Sequence, residues 1–209
     1  MAASPLATKP AYRPTPHMSY CAFANALPAD TPDPNKHYHD QQYGFPLAND
    51  NALFGRLLLE INQAGLSWTL MLKKQAAFHA AYSGFDIAAI AAYGDADRAR
   101  LLADAGIVRN RRKIEAAICN ARQVQRLQAE YGSFKAWLDA HHPRDLAAWV
   151  KLFKQHFQFV GGEIVGEFLM SCGYLPGAHT PDCPVYARVL AAQPAWHQRA
   201  APAAPDAGL

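Results

Sequence analysis

Asp50-Asn51-Ala52-Leu53-Phe54-Gly55-Arg56-Leu57-Leu58-Leu59-Glu60-Ile61-Asn62-Gln63-Ala64-Gly65-Leu66-Ser67-Trp68 is the stretch from which the fold is read. Leu53, Phe54, Leu57, Leu58 and Ile61 recur at spacings of three and four, the period of a helix with one apolar face. Asn51 or Asp50 can cap its start, Gly65 can end it, and Ser67 can cap a second helix beginning at Trp68. Further along, Leu101, Leu102, Ile107, Ile114, Ile118 and Val124 continue the helical habit. Gly84, Gly94, Gly106 and Gly132 are candidate breaks, and Gly161-Gly162 opens a helix running to about Ser171. Strand-like alternation is almost absent and no self-similar period marks a solenoid. The expected fold is all-α.

The chain has 209 residues, 51% of them hydrophobic, enough to bury one substantial core. No apolar run approaches the roughly 20 residues that cross a bilayer. The first residues carry Lys9 and Arg13 among prolines and alanines, without the apolar segment of a secretory signal. A soluble cytoplasmic protein with no membrane partner is expected, and a monomer is the default. Residues 1–17 and 191–209 are rich in Pro and Ala and read as disordered tails around a body at 18–190. Four cysteines without a signal read as reduced thiols or metal ligands rather than a disulfide framework.

Three groups of residues bear on chemistry. Cys21 and the His37-Tyr38-His39-Asp40 run lie near one end of the chain, and His179 and Cys183 near the other. Thiolate and imidazole suit zinc, and a closed four-ligand site would be structural. Buried thiols and surface histidines would leave the same sequence trace. Arg109, Arg111, Arg112 and Lys113 follow the Gly106-Ile107-Val108 turn. As a solvated helix start this cluster is ordinary, but cations at a helix N-terminus oppose the dipole, and a bound anion would relieve the conflict. The net charge of +3 permits a polyanionic partner without demanding one. Glu60 sits at the edge of the apolar stripe, where a carboxylate must be paired, solvated or facing a cavity. Trp68, at the start of the next helix, can project into a cleft beside it. A carboxylate and an aromatic face in one cleft could read a planar heterocycle.

Tyr38-His39-Asp40, Tyr43-Gly44-Phe45-Pro46, Leu53-Phe54, Glu60 and Gln63-Ala64-Gly65-Leu66-Ser67-Trp68 resemble the opening blocks of the 3-methyladenine DNA glycosylase I family. The similarity continues in order through Leu72-Lys73-Lys74, Phe85-Asp86, Asp104-Ala105-Gly106-Ile107-Val108-Arg109, Arg112-Lys113-Ile114, Asn120-Ala121-Arg122, Phe159-Val160-Gly161 and His179-x-x-x-Cys183. It covers residues 20–184, and Gln-Ala-Gly-Leu-Ser-Trp is its most specific string.

The resemblance implies a helix-hairpin-helix glycosylase fold, clamped by a structural Zn2+ on Cys21, His39, His179 and Cys183. It selects His39 over His37. It implies that Glu60, as the catalytic carboxylate, and Tyr38 hydrogen-bond an extruded base, that Trp68 stacks on it and that Tyr43 stands near the pocket wall. The hairpin would be residues 106–110. Gly106 and its neighbouring amides, with Arg109, Arg111, Arg112 and Lys113, would hold the phosphates of double-stranded DNA containing alkylated bases. The implied reaction hydrolyses the N-glycosidic bond, releases free 3-methyladenine and leaves the strand uncut. Departures from the family pattern are Ala22-Phe23, where Gly-Trp is usual, and Gly162 to Glu167, where threonines and a tyrosine are usual. Glu163 and Glu167 could face DNA or solvent, and loss of aromatics could enlarge the cavity. The competing readings are a noncatalytic zinc-stabilised DNA or partner binder and a binder of free purines. Base release from methylated DNA separates the first from an enzyme, and lack of dependence on DNA length marks the second.

Overall fold

The computed structural model describes residues 19–28 and 32–198, and no strand occurs among them. Eleven helices follow one another there: α1 Tyr20–Ala26, α2 Pro34–Gln41, α3 Asp50–Gln63, α4 Trp68–Ala81, α5 Ile87–Ala91 and α6 Asp95–Ala103, then α7 Arg111–Tyr131, α8 Phe134–His141, α9 Leu146–His156, α10 Gly162–Ser171 and α11 Tyr186–Ala191. Short 3-10 turns at Ser83–Phe85 and Ala195–His197 complete the path. No helix is long and apolar enough to cross a membrane among the described residues.

Helix α3 is the axis of the molecule. Leu53, Phe54, Leu57, Leu58, Leu59 and Ile61 are all essentially inaccessible, with α4, α7, α8 and α10 packed around them. Each such side chain contributes roughly 1.5–3 kcal/mol through burial. A second layer is aromatic. Phe134, Trp137, Phe153, Phe157 and Phe168 meet with ring centroids between 5.2 and 6.3 Å, joining α8, α9 and α10.

The start of α3 differs from the expected caps at Asn51 or Asp50. Asn49 caps it, its side chain accepting from the Ala52 amide at 2.8 Å. Asp50 is spent elsewhere, accepting from the amides of Phe134 and Lys135 and from the Gln128 side chain. It thereby ties the first turn of α3 to the first turn of α8. Ser67 caps α4 as expected, and Gly161 precedes α10. Gly132 ends α7 at φ +87°, where a side chain would be strained.

The expected end of the body at residue 190 falls short. Helix α11 runs to Ala191, and the turn at Ala195–His197 rests against the body, with the Trp196 amide donating to the Gly173 carbonyl at 3.2 Å. Ala195 packs on the main core. The stretch 191–198 is thus not a tail; the tail expected at 1–17 and the remainder, 199–209, lie outside the described residues.

Candidate functional site

The C-terminal end of α3, the loop to α4 and the first turns of α10 enclose a cleft of about 800 Å³. Its walls include Tyr20, Tyr38, Tyr43, Glu60, Trp68 and Glu167, and no lysine or arginine among the described residues lines it. Glu60 is 3% exposed and makes no hydrogen bond or ion pair within the described residues. Burial, with a further push from Glu167 and partial relief from Arg56, raises its carboxyl from 4.5 to about 8. Of the fates open to a carboxylate at a stripe's edge, Glu60 takes the third and faces a cavity.

Opposite it stands an aromatic wall. Trp68 and Tyr38 meet edge to face at 5.1 Å, Tyr38 and Tyr43 lie 5.5 Å apart, and Tyr20 meets Tyr43 at 5.6 Å. The Trp68 indole N–H is buried with no partner. Arg56, one turn before Glu60, is buried behind this wall. It donates to the Tyr38 hydroxyl at 2.8 Å and to Gln42 at 3.3 Å, and its guanidinium lies 4.8 Å from the Tyr38 ring centre. Tyr38 therefore accepts from Arg56, and its own hydroxyl proton makes no hydrogen bond among the described residues. Burial pushes the Tyr38 hydroxyl well above the ordinary phenol range, so it stays a donor. Across the cleft the Tyr43 hydroxyl donates to Glu167 at 3.1 Å. Burial raises the Glu167 carboxyl as well, against the lowering effect of the Tyr43 bond.

Cys21, His39, His179 and Cys183 converge at one buried point, with their ligand atoms all within 4.8 Å of one another. Cys21 Sγ to His179 Nδ1 is 3.6 Å, Cys183 Sγ to His39 Nε2 is 3.5 Å and Cys183 Sγ to His179 Nδ1 is 3.6 Å. Tetrahedral zinc with ordinary bond lengths separates sulfur from nitrogen by about 3.6 Å. The remaining ring nitrogens are engaged: His39 Nδ1 with Asp40 at 2.7 Å and His179 Nε2 with the Tyr43 carbonyl at 2.8 Å. These contacts fix the tautomers that turn Nε2 of His39 and Nδ1 of His179 inward. The group has the geometry of a metal site. His37 is exposed and outside it.

The turn between α6 and α7 carries the basic cluster. Arg109, Arg111 and Arg112 are exposed there. The amides of Val108 and Arg109 donate to nothing among the described residues, whereas the Gly106 amide is taken by Asp104 at 2.7 Å. A side chain at Gly106 would meet Asp104 at 2.9 Å and Ala77 at 3.1 Å, so Gly106 serves tight packing. Lys113 corrects the expectation that it reaches DNA. It is 4% exposed, and its ammonium donates to the carbonyls of Asn62 and Ala64 at 2.9 and 2.8 Å. An ammonium at the end of α3 satisfies carbonyls that the helix leaves open.

The structure brings Tyr38, Tyr43, Glu60 and Trp68 to one cleft, and the two cysteines and two histidines to one point beside it. Arg56 and Tyr20 escaped the sequence reading; the available signal was an arginine inside a run of leucines. Glu167 faces inward rather than toward solvent, and Phe23 does not line the cleft but stacks on Tyr20 at 6.3 Å.

Residues 29–148 match the methyladenine glycosylase family. DNA-3-methyladenine glycosylase 1 of Escherichia coli K12 is 34% identical, over 71% of this chain and 89% of that protein. The solved 3-methyladenine DNA glycosylase I of Staphylococcus aureus superposes with TM-score 0.70 at 32% identity, covering 80% of this chain and 96% of its own. A solved 3-methyladenine DNA glycosylase I with one tyrosine changed to phenylalanine, in complex with 3-methyladenine, gives TM-score 0.69 at 32% identity, over 80% and 97% of the two chains. With that extent and identity, the chain belongs to the methyladenine glycosylase family.

Proposed function

We propose that this chain excises 3-methyladenine from alkylated double-stranded DNA by hydrolysing the N-glycosidic bond, as the opening step of base excision repair. The observation that carries the reading is Glu60, a buried carboxylate with no hydrogen-bond partner among the described residues, set in a cleft with Tyr38 and Trp68. An extruded purine supplies the missing partner: its exocyclic amine donates to Glu60, Tyr38 donates to a ring acceptor and Trp68 covers a face. Tyr43 closes the wall.

Methylation at N3 makes the nucleotide base cationic. When the bond from the sugar C1′ to N9 breaks, the electron pair goes to the base and leaves it neutral. Water gives its hydroxyl to C1′ and its proton to solvent, leaving an abasic site. A leaving group so activated needs binding and orientation more than strong acid or base catalysis. No lysine among the described residues lines the cleft, and Lys113 is committed to two carbonyls at its border, which supports base release without strand cleavage.

The turn between α6 and α7 acts as the hairpin of a helix-hairpin-helix DNA clamp. The free amides of Val108 and Arg109 and the exposed Arg109, Arg111 and Arg112 hold phosphates. Cys21, His39, His179 and Cys183 would hold zinc, whose part is structural: it joins α1, α2 and the segment after α10 beside the aromatic wall. The protein works as a cytoplasmic monomer. Incubation with methylated duplex DNA, with chromatographic detection of the released base, tests the function. Free 3-methyladenine with intact strands is expected; no released base, or strand breaks without heat or alkali, would sink it.

A further inference from the structure

The cleft contains a second carboxylate that the reading above does not use. Glu167 is on α10, on the wall facing α3, and its Oε2 accepts from Tyr43 at 3.1 Å. Its other oxygen has no hydrogen bond, and no lysine, arginine or histidine pairs with it among the described residues. Glu60 lies across the same cleft, Glu163 stands at its exposed rim, and no cationic side chain among the described residues lines it. Arg56, the cation behind the wall, is spent on Tyr38 and Gln42.

Two carboxyls face one cleft whose lining, among the described residues, holds no cationic side chain, so a positively charged guest would stabilise their ionised forms. Tyr20, Tyr38, Tyr43 and Trp68 line the same space, and aromatic rings attract cations. Both features favour a positively charged planar guest over a neutral one of the same shape. We propose that Glu167 is a specificity-determining residue of the base site, which together with Glu60 makes the cleft select N-alkylated purines that carry a positive charge. The proposal rests on the base-pocket reading above. Tyr43 fixes one oxygen of Glu167 and so aims the other; a carboxylate that merely held Tyr43 in place would do so equally well as an amide.

That difference defines the test. Glu167→Gln keeps an acceptor for Tyr43 and removes the charge; Glu167→Asp keeps the charge. Binding to the full-length protein is followed through Trp fluorescence with two probes, the cation 3,9-dimethyladeninium and neutral 3-methyladenine. In Glu167→Gln the cation should bind about fivefold to tenfold more weakly, with neutral 3-methyladenine unchanged within about twofold and Glu167→Asp restoring part of the difference. Equal weakening of both probes would make Glu167 a packing residue, and no change in either would make it a bystander; each overturns the proposal. Release of 3-methyladenine from methylated DNA by the wild type, measured alongside, separates the layers. Release together with unaltered discrimination in Glu167→Gln overturns only the role of Glu167, whereas no release and no binding of either probe overturns the base pocket and the proposal with it.

Discussion

Glu60→Gln should make the protein more stable and less active, with the stability gain appearing only as pH rises. In the fold, burial moves the Glu60 carboxyl from 4.5 to about 8. That is roughly a 3,000-fold change in proton affinity, a ceiling on the order of 5 kcal/mol of preference for the neutral acid. The sign follows from linkage. Below about pH 4.5 both folded and unfolded chains carry the proton, and the ionised form costs nothing. Between that value and about 8 the unfolded chain has released its proton while the folded chain keeps it. Stability therefore falls across this window as pH rises, and levels off once the folded carboxyl ionises too.

Glutamine has the same size and never ionises. Every other titrating group is common to both proteins, so the difference between them isolates residue 60. The melting temperatures should nearly coincide near pH 4.5 and separate progressively, with the variant ahead on the order of 10 °C by pH 8.5. Single-turnover release of 3-methyladenine should meanwhile fall about tenfold or more, the loss of one acceptor in the transition state, with affinity for undamaged duplex kept. A gap in melting temperature that does not change with pH would show that Glu60 is solvated, and one that opens in favour of the wild type as pH rises would show that it is ion-paired. Full activity in the variant would remove it from the base site.

Cys183→Ser should abolish metal binding and destabilise the domain by several kcal/mol, since one lost ligand opens a closed site; elemental analysis and melts check this, and unchanged metal content would refute it. Arg111→Ala should weaken binding to damaged and undamaged duplex about equally and reduce the salt slope by about one, whereas Lys113→Ala should leave that slope unchanged and lower the melting temperature, because its ammonium serves Asn62 and Ala64. Salt titrations beside melts of the two variants decide between these roles, and a changed salt slope in Lys113→Ala would return that lysine to the DNA interface. Trp68→Ala should lose excision together with some stability, since the indole packs against Tyr38 at 5.1 Å; wild-type turnover would exclude a stacking role.

The helices were legible because burial on a helix leaves a period, and the caps nearly so. Asn49, Asp50 and Asn51 are all cap-forming types in a row, and only the docking of α8 explains why Asp50 is withheld from that task. The metal ligands could be picked out by type, but choosing His39 over His37 required the resemblance, because spacing along the chain does not report which histidine points inward. Lys113 was unreadable for a physical reason. Whether a lysine is solvated or buried against carbonyls depends on which helix end lies beside it, here the end of α3 about fifty residues earlier in the chain. Glu167 posed the same difficulty, since half a turn of helix phase separates a carboxylate facing solvent from one facing a cleft.

Helix α3 draws these strands together. Its apolar pattern reads as one face, yet residues 53–62 are buried all round, so Arg56, Glu60 and Asn62 are polar groups inside a core. Such groups are costly unless paired, which makes their partners informative. Arg56 has Tyr38 and Gln42, and the Asn62 amide nitrogen has the Leu58 carbonyl, while the Asn62 Oδ1 has no partner among the described residues. Glu60 has no hydrogen bond among the described residues and opens on the cleft. A buried carboxylate held without a partner among the described residues, on a helix buried on every side, makes physical sense if the partner arrives from outside. The amino group of a flipped purine has the donor that Glu60 lacks, and the stability given up in the empty protein then becomes selectivity in the loaded one.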